Sequence, residues 1–171
     1  MRILVTALLS AIVMLSISCK KDSKDDAQRR KYVSMKLDNR VYLVDNPKGT
    51  IYAPNLTDEN PNNDYPRLEI TGQTYTGDVI TMAMAAPSLP FAPGAYPATK
   101  TGNGMSIVLN SVYANTLVST GSSDFVIRIT RIDNMVVEGT FSGTLADQSA
   151  AGGPRSVQDG AFRAIITQVG Q

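Results

Sequence analysis

The sequence predicts an all-β protein: one antiparallel, meander-like sheet of about nine strands, closed as a barrel or folded as a two-sheet sandwich. Two observations lead to this class. Apolar and polar residues alternate over short runs, and clusters of Gly, Pro, Asn and Asp separate those runs. No window sustains the helical period. The pattern does not decide between barrel and sandwich, and a tightly curved sheet is the favoured interpretation.

The first element is a hairpin in which residues 35–37 and 41–43 flank Asp38-Asn39, a turn-prone pair. A second hairpin joins residues 68–73 to 80–84. The strand predicted at 135–145 carries Gly139 and Gly143 on its inward face, which requires a bend or a bulky neighbour crossing there. The remaining predicted strands are residues 50–56, 96–99, 105–110, 125–130 and 162–167.

Residues 1–18 have the layout of a secretory signal peptide, with one basic residue followed by an apolar run. That run is shorter than the ~20 residues that span a bilayer, and an uncleaved anchor is the weaker interpretation. Leu15-Ser16-Ile17-Ser18-Cys19 resembles a bacterial lipobox, and Cys19 is the chain's single cysteine. The resemblance implies cleavage before Cys19 and attachment of acyl chains such as palmitate to it, whereas ordinary cleavage would leave a free thiol.

Residues 19–31 are rich in charge and carry no large apolar side chain, which predicts a disordered, solvated tether between Cys19 and a β-domain at 32–171. Cys19-Lys20-Lys21-Asp22 resembles the signal that sends lipoproteins of Bacteroidota to the outer face of the outer membrane. We therefore expect a lipid-anchored outer-membrane protein. The periplasmic and cell-surface faces both stay open, since any lipoprotein tether is charged.

Composition excludes several functions. The chain has no histidine, so Ser-His-Asp and Cys-His catalysis and His-ligated metals are ruled out. Loss of Arg2 with the signal peptide reduces the sixteen basic residues to fifteen, equal to the fifteen acidic ones. A neutral chain does not collect phosphates by counterion release, so we expect no nucleic-acid partner.

Three segments together resemble small Bacteroidota outer-membrane lipoprotein families of unknown function. They are the hairpin at 35–42, Gly94-Ala95-Tyr96, and the run Val137-Glu138-Gly139-Thr140-Phe141-Ser142-Gly143-Thr144-Leu145 before Asp159-Gly160-Ala161-Phe162. The resemblance implies an all-β extracytoplasmic domain. It brings no known activity, and therefore no catalytic residue.

A calcium loop is the one metal site that the spacing suggests. Oxygen-bearing residues at relative positions 1, 3, 5, 7 and 12 match the EF-hand pattern: Asp58, Asn60, Asn62, Asp64 and Glu69. Asn63 replaces the usual turn glycine, Pro61 and Pro66 stiffen the segment, and predicted strands flank it. An ordinary Asx-Pro loop is the favoured interpretation, with Ca²⁺ as the alternative and no other cofactor expected.

Two glutamates on predicted strands, Glu69 and Glu138, could form the carboxylate pair of a glycoside hydrolase, although structural roles are the favoured interpretation. The segment 85–98 holds four of the nine prolines together with Phe91 and Tyr96. A stiff loop carrying aromatic residues suits a binding surface, and Phe91 and Tyr96 are the candidate ligand contacts. The alternative is a loop that covers the end of the core.

These features favour a non-enzymatic, lipid-anchored β-domain that binds an unidentified extracellular or envelope ligand. Two alternatives stay open: a glycan-binding accessory lipoprotein of polysaccharide uptake, and a structural component of an envelope complex. Exposed tyrosines on one face, from among Tyr52, Tyr65 and Tyr96, would favour glycan. A long uncovered edge strand would favour assembly by strand addition.

Overall fold

The computed structural model describes residues 30–57, 63–111, 115–133, 135–149 and 152–169, and within them the chain forms β-strands and no helix. The predicted all-β class is confirmed. The strands are β1 (Tyr32–Leu37), β2 (Arg40–Asp45), β3 (Lys48–Tyr52), β4 (Arg67–Gln73), β5 (Val79–Ala85), β6 (Gly94–Pro97), β7 (Gly104–Val108), β8 (Thr116–Val118), β9 (Val126–Asp133), β10 (Val136–Asp147) and β11 (Arg155–Val169).

Both predicted hairpins form where the turn residues placed them. Asp38 and Asn39 join β1 to β2 with φ angles of 48° and 66°, the left-handed conformations that a two-residue turn between twisted strands requires. Strands β4 and β5 pair through the turn that contains Gly77, whose φ is 91°. Asp and Asn tolerate positive φ better than other residues with side chains, so local sequence determines the first turn.

Strand number and connectivity differ from the prediction. The described residues contain eleven strands rather than about nine, because β8 is three residues long and its alternation is too brief to detect. The sheet is also not a pure antiparallel meander, since β11 pairs in parallel with β3. That pairing joins segments more than a hundred residues apart, which local patterns cannot reveal.

The hydrogen-bonded strands form a closed ring. It runs from β11 through β3, β4, β5, β7 and β8 to β10, and β10 pairs with β11 again. Two wings extend from this ring: β1 and β2 attach to β11, whereas β9 and β6 attach to β10. The two longest strands therefore take part both in the ring and in a wing.

Glycine and phenylalanine face each other twice across β10 and β11. Gly139 pairs with Phe162 and Phe141 pairs with Gly160, and the two phenyl rings lie 6.4 Å apart. A Cβ built on Gly139 would meet the Phe162 ring at 2.5 Å as well as the backbone of Arg128. The predicted requirement for a bulky neighbour at this glycine is thus met by Phe162.

The core lies inside the ring and beneath the wings. All four phenylalanines of the chain are buried in it, and so are the inward residues of β4 and β5. Burial of this apolar surface at roughly 25 cal/mol per Å² is the main favourable term in folding. From Lys31 onward, the described residues form one compact unit around the core.

We predict that Gly139→Ala destabilises the fold by about 1–3 kcal/mol, because the added methyl group overpacks the contact between Phe162 and the Arg128 backbone. Chemical denaturation measures the loss. Gly153→Ala is the matched control, since a Cβ there meets no atom within 4 Å. Equal stability of the two variants would show that the glycine is not needed for the packing of β10 on β11.

Candidate functional site

Phe91 and Tyr96, the predicted ligand contacts, lie at one end of the core. Phe91 is 4% exposed, and its ring centroid is 6.3 Å from that of Tyr96. The Tyr96 hydroxyl donates a 2.8 Å hydrogen bond to the carbonyl oxygen of Ala92, and burial raises the pKa of Tyr96 above its ordinary value. This placement favours the interpretation of a loop that covers the core.

The same loop borders an apolar depression with a volume of about 720 Å³. Leu89 and Met135 are its exposed large hydrophobic residues, and Ile51 and Ile132 line its wall. Polar groups that orient a ligand give a binding site its specificity. This depression has few of them.

The calcium-loop residues are divided between described and undescribed parts of the chain. Asp58, Asn60 and Asn62 lie outside the described residues. Glu69 lies on β4, where its carboxylate is 3.4 Å from the guanidinium of Arg67. Across the part of the chain that the structure describes, no group of three or more His, Cys, Asp and Glu residues is placed to hold a metal ion.

The two glutamates of the hydrolase hypothesis lie on strands that are not neighbours. Glu69 is on β4, and Glu138 is on β10. Glu138 lies 3.4 Å from Arg163 and 3.7 Å from Arg131, so each carboxylate is held in an ion pair on its own part of the sheet.

The lipidation site and the signal peptide lie outside the described residues. Cys19 and residues 1–18 therefore stay predictions. Within the described ranges, the structure contains no helix that is both long and apolar enough to cross a membrane.

A depression of about 550 Å³ lies on the outer face of β5, β7 and β8, and we call it the trough. Its floor is a row of paired residues that crosses the three strands, Thr81, Ser106 and Val118. One wall is the loop between β6 and β7, residues 98–103, and the other is Thr120-Gly121. Arg67 closes one end.

Each wall of the trough is fixed by a buried polar side chain. Asn103, 7% exposed, accepts a 2.7 Å hydrogen bond from the backbone of Ala85 and donates one of 3.2 Å to the carbonyl of Pro97. Ser119 is fully buried, and its hydroxyl accepts a 2.7 Å hydrogen bond from the backbone of Met105. Leaving such buried groups unpaired costs about 1–3 kcal/mol each, so both walls are strongly held.

The trough carries positive charge, and an aromatic ring outside its lining packs against Arg67. Arg67 and Lys100 line it, and no acidic residue does so in the described chain. The guanidinium of Arg67 lies 5.0 Å from the ring centroid of Tyr52, which is 36% exposed. Tyr65, 56% exposed, precedes Arg67 by two residues, in the bend before β4.

The trough continues beyond β8 into a second depression of about 380 Å³. The two share Val118, Thr120 and Gly121, and the second also has Thr144 and Asp147 in its lining. The two depressions therefore adjoin at β8, and a ligand lying over the shared residues would extend from the Arg67 side toward β10. This shape differs from an enclosed pocket for a compact molecule.

Comparison with protein-family models, with curated proteins and with solved structures finds no match to this chain. The trough was not predicted from the sequence. Gly102-Asn103-Gly104 indicates only a turn, and the hydroxyl residues of the floor have the pattern of any solvated strand face. Only the pairing of β5, β7 and β8 brings them together.

We predict that Phe91→Ala lowers the free energy of unfolding by about 3 kcal/mol or more, because a buried phenyl ring is removed from the core. Equilibrium denaturation measures the change. Tyr75→Ala serves as the control, because Tyr75 is 89% exposed and its loss should change stability by no more than about 0.5 kcal/mol. A near-neutral Phe91→Ala variant would contradict the core-covering role.

Proposed function

We propose that the chain is a non-enzymatic outer-membrane lipoprotein, anchored through Cys19, whose β-domain binds an extended glycan in the trough. The observation that carries the binding proposal is the trough itself, whose walls are each pinned by a buried side chain, Asn103 and Ser119. Walls that are fixed before binding lose little conformational entropy when a ligand arrives. The lipobox and the resemblance to Bacteroidota lipoproteins support the anchor.

The chemistry of the trough favours a hydroxyl-rich chain. Thr81, Ser106 and Thr120 contribute hydroxyl groups that both donate and accept hydrogen bonds. Tyr52 presents a partly exposed ring beside Arg67, and Tyr65 is exposed two residues before Arg67 in the chain. Aromatic faces provide apolar contact area for sugar rings. The continuation of the trough across β8 suits several linked sugar units.

Assembly by strand addition is the second candidate and has less support. Strand β2 ends the sheet order at one side, but Val44 forms a bridge to Thr74 that covers part of its edge. Strand β6 ends the order at the other side, and it spans only four residues, ending at Pro97. Short edges and proline discourage pairing with another chain.

We predict that Cys19→Ala releases the protein from bacterial membranes into the soluble fraction, because its acyl chains provide the anchor. Fractionation and intact mass of the mature chain measure the effect, with Ser23→Ala as a control that keeps the lipid. Retention of the Cys19→Ala variant on membranes would contradict the proposed anchor.

We predict that Ser106→Tyr abolishes glycan binding, because the added ring fills the floor of the trough. Thermal unfolding of the full chain in detergent is measured with galacturonan, cellulose, xylan and maltose oligomers. A ligand at a hundred times its dissociation constant adds about 2.7 kcal/mol of stability.

Ser34→Tyr is the matched control, because Ser34 lies outside the trough on β1, where it pairs with Leu43 and Ala161. It should keep the ligand-induced shift that Ser106→Tyr loses. Equal binding by both variants would place the glycan elsewhere, and the absence of a shift with every oligomer would contradict the glycan proposal.

A further inference from the structure

We infer that the trough selects acidic glycans and holds a sugar carboxylate between Arg67 and Lys100. This inference rests on the proposed glycan-binding function and adds the ligand's charge to it. It also predicts how the bound glycan is oriented: the acidic sugar unit that determines affinity lies at the Arg67 end of the trough.

The fold brings the two cations to opposite sides of one short residue. Ala85 pairs with Arg67 across β4 and β5. On its other side, the Ala85 backbone N–H donates a hydrogen bond to the Asn103 side chain, and a Cβ on Gly102 would lie 2.8 Å from the Ala85 methyl group. The loop that carries Lys100 is therefore fixed on one side of Ala85, and Arg67 lies on the opposite side of Ala85, on β4.

The Arg67 guanidinium is held in place and still has free N–H donors. Its Nη2 is 3.4 Å from Glu69, and the Tyr52 ring lies beneath the guanidinium. A guanidinium has five N–H donors in a planar fork, and one carboxylate contact leaves part of that fork free. The planar fork matches a second carboxylate in bidentate geometry.

Lys100 has no acidic partner within ion-pair distance in the described chain. It lies at the exposed tip of the wall loop, whose turn is closed by a 3.1 Å hydrogen bond from the Lys100 backbone to the Pro97 carbonyl. The ammonium group is thus available to a ligand in the trough. Asp147, the acid of the second depression, lies on the far side of β8 and gives the groove a positive and a negative end.

The test uses a tetramer of galacturonic acid and its methyl ester as probes, because esterification removes the charge and keeps the sugar chain. Calorimetric titration of the full chain in detergent should give tighter binding of the acid than of the ester. The preference should decrease with added salt, since the cations are exposed. Arg67→Gln and Lys100→Gln should each weaken binding of the acid about tenfold and leave binding of the ester nearly unchanged.

Arg128→Gln is the matched control, because it removes one exposed cation from β9, outside the trough. It should retain the preference for the acid. Unfolding midpoints within a degree or two of the parent would show that all three variants fold.

The outcomes separate this inference from the proposed function. Equal binding of acid and ester, lost in Ser106→Tyr, would leave a glycan site in place and overturn the selection of acidic sugars. A preference for the acid that falls equally in Arg128→Gln would also overturn it, because general charge would then be the cause. If neither tetramer binds, the inference is wrong, and the neutral oligomers decide the proposed function.

Discussion

The close packing of β10 on β11 is the constraint on which the rest of the structure depends. Gly139 leaves room for the ring of Phe162, and Gly160 leaves room for Phe141 on the opposite strand. Each ring fills the space that the facing glycine leaves, so the glycines, which would otherwise weaken a strand, become part of the core. These strands form the seam between the ring and both wings.

The position of the trough follows from an irregularity in that seam, where the register of β10 on β11 shifts between Phe141 and Gly143. Such a β-bulge bends a strand. Strand β10 pairs with β9 as far as Ser142 and with β8 from Ala146, and Gly143 lies between the two partners with a φ of 133°. A Cβ at Gly143 would collide with the backbone of Phe125, so the approach of β9 and the bend both require glycine. Because β8 reaches β10 only after the bend, the floor of the trough depends on this glycine.

Sequence patterns predicted the elements that local chemistry determines. The alternation of Leu68 and Ile70 with polar residues places β4, and Asp38-Asn39 determines the first turn. The inward glycine at 139 correctly indicated a bulky neighbour, the Phe162 ring, and Gly143 lies at a register shift of β10 on β11. Strand β8 and the parallel pair of β11 with β3 were missed, because they depend on distant partners rather than on a local period.

The candidate site was harder to predict for a related reason. Proline and aromatic content pointed to Phe91, but composition does not distinguish an aromatic residue that contacts a ligand from one that covers a core. Most residues of the trough are hydroxyl, glycine and small residues, which look like ordinary solvated strand and turn residues in sequence. Asn103 is informative only once its partners on β5 and at Pro97 are known.

Two buried polar side chains distinguish the trough from an ordinary depression between surface turns. A turn that only connects strands can satisfy its backbone groups with water at the surface. In the trough, the side chains of Asn103 and Ser119 bond backbone groups instead of water, and both side chains are buried. Burial of a polar side chain carries a desolvation cost, which its hydrogen bonds must offset. The result is a rigid groove with an exposed lysine at the tip of one wall. Rigid walls lower the entropy cost of binding, and an exposed cation attracts an acidic chain before contact.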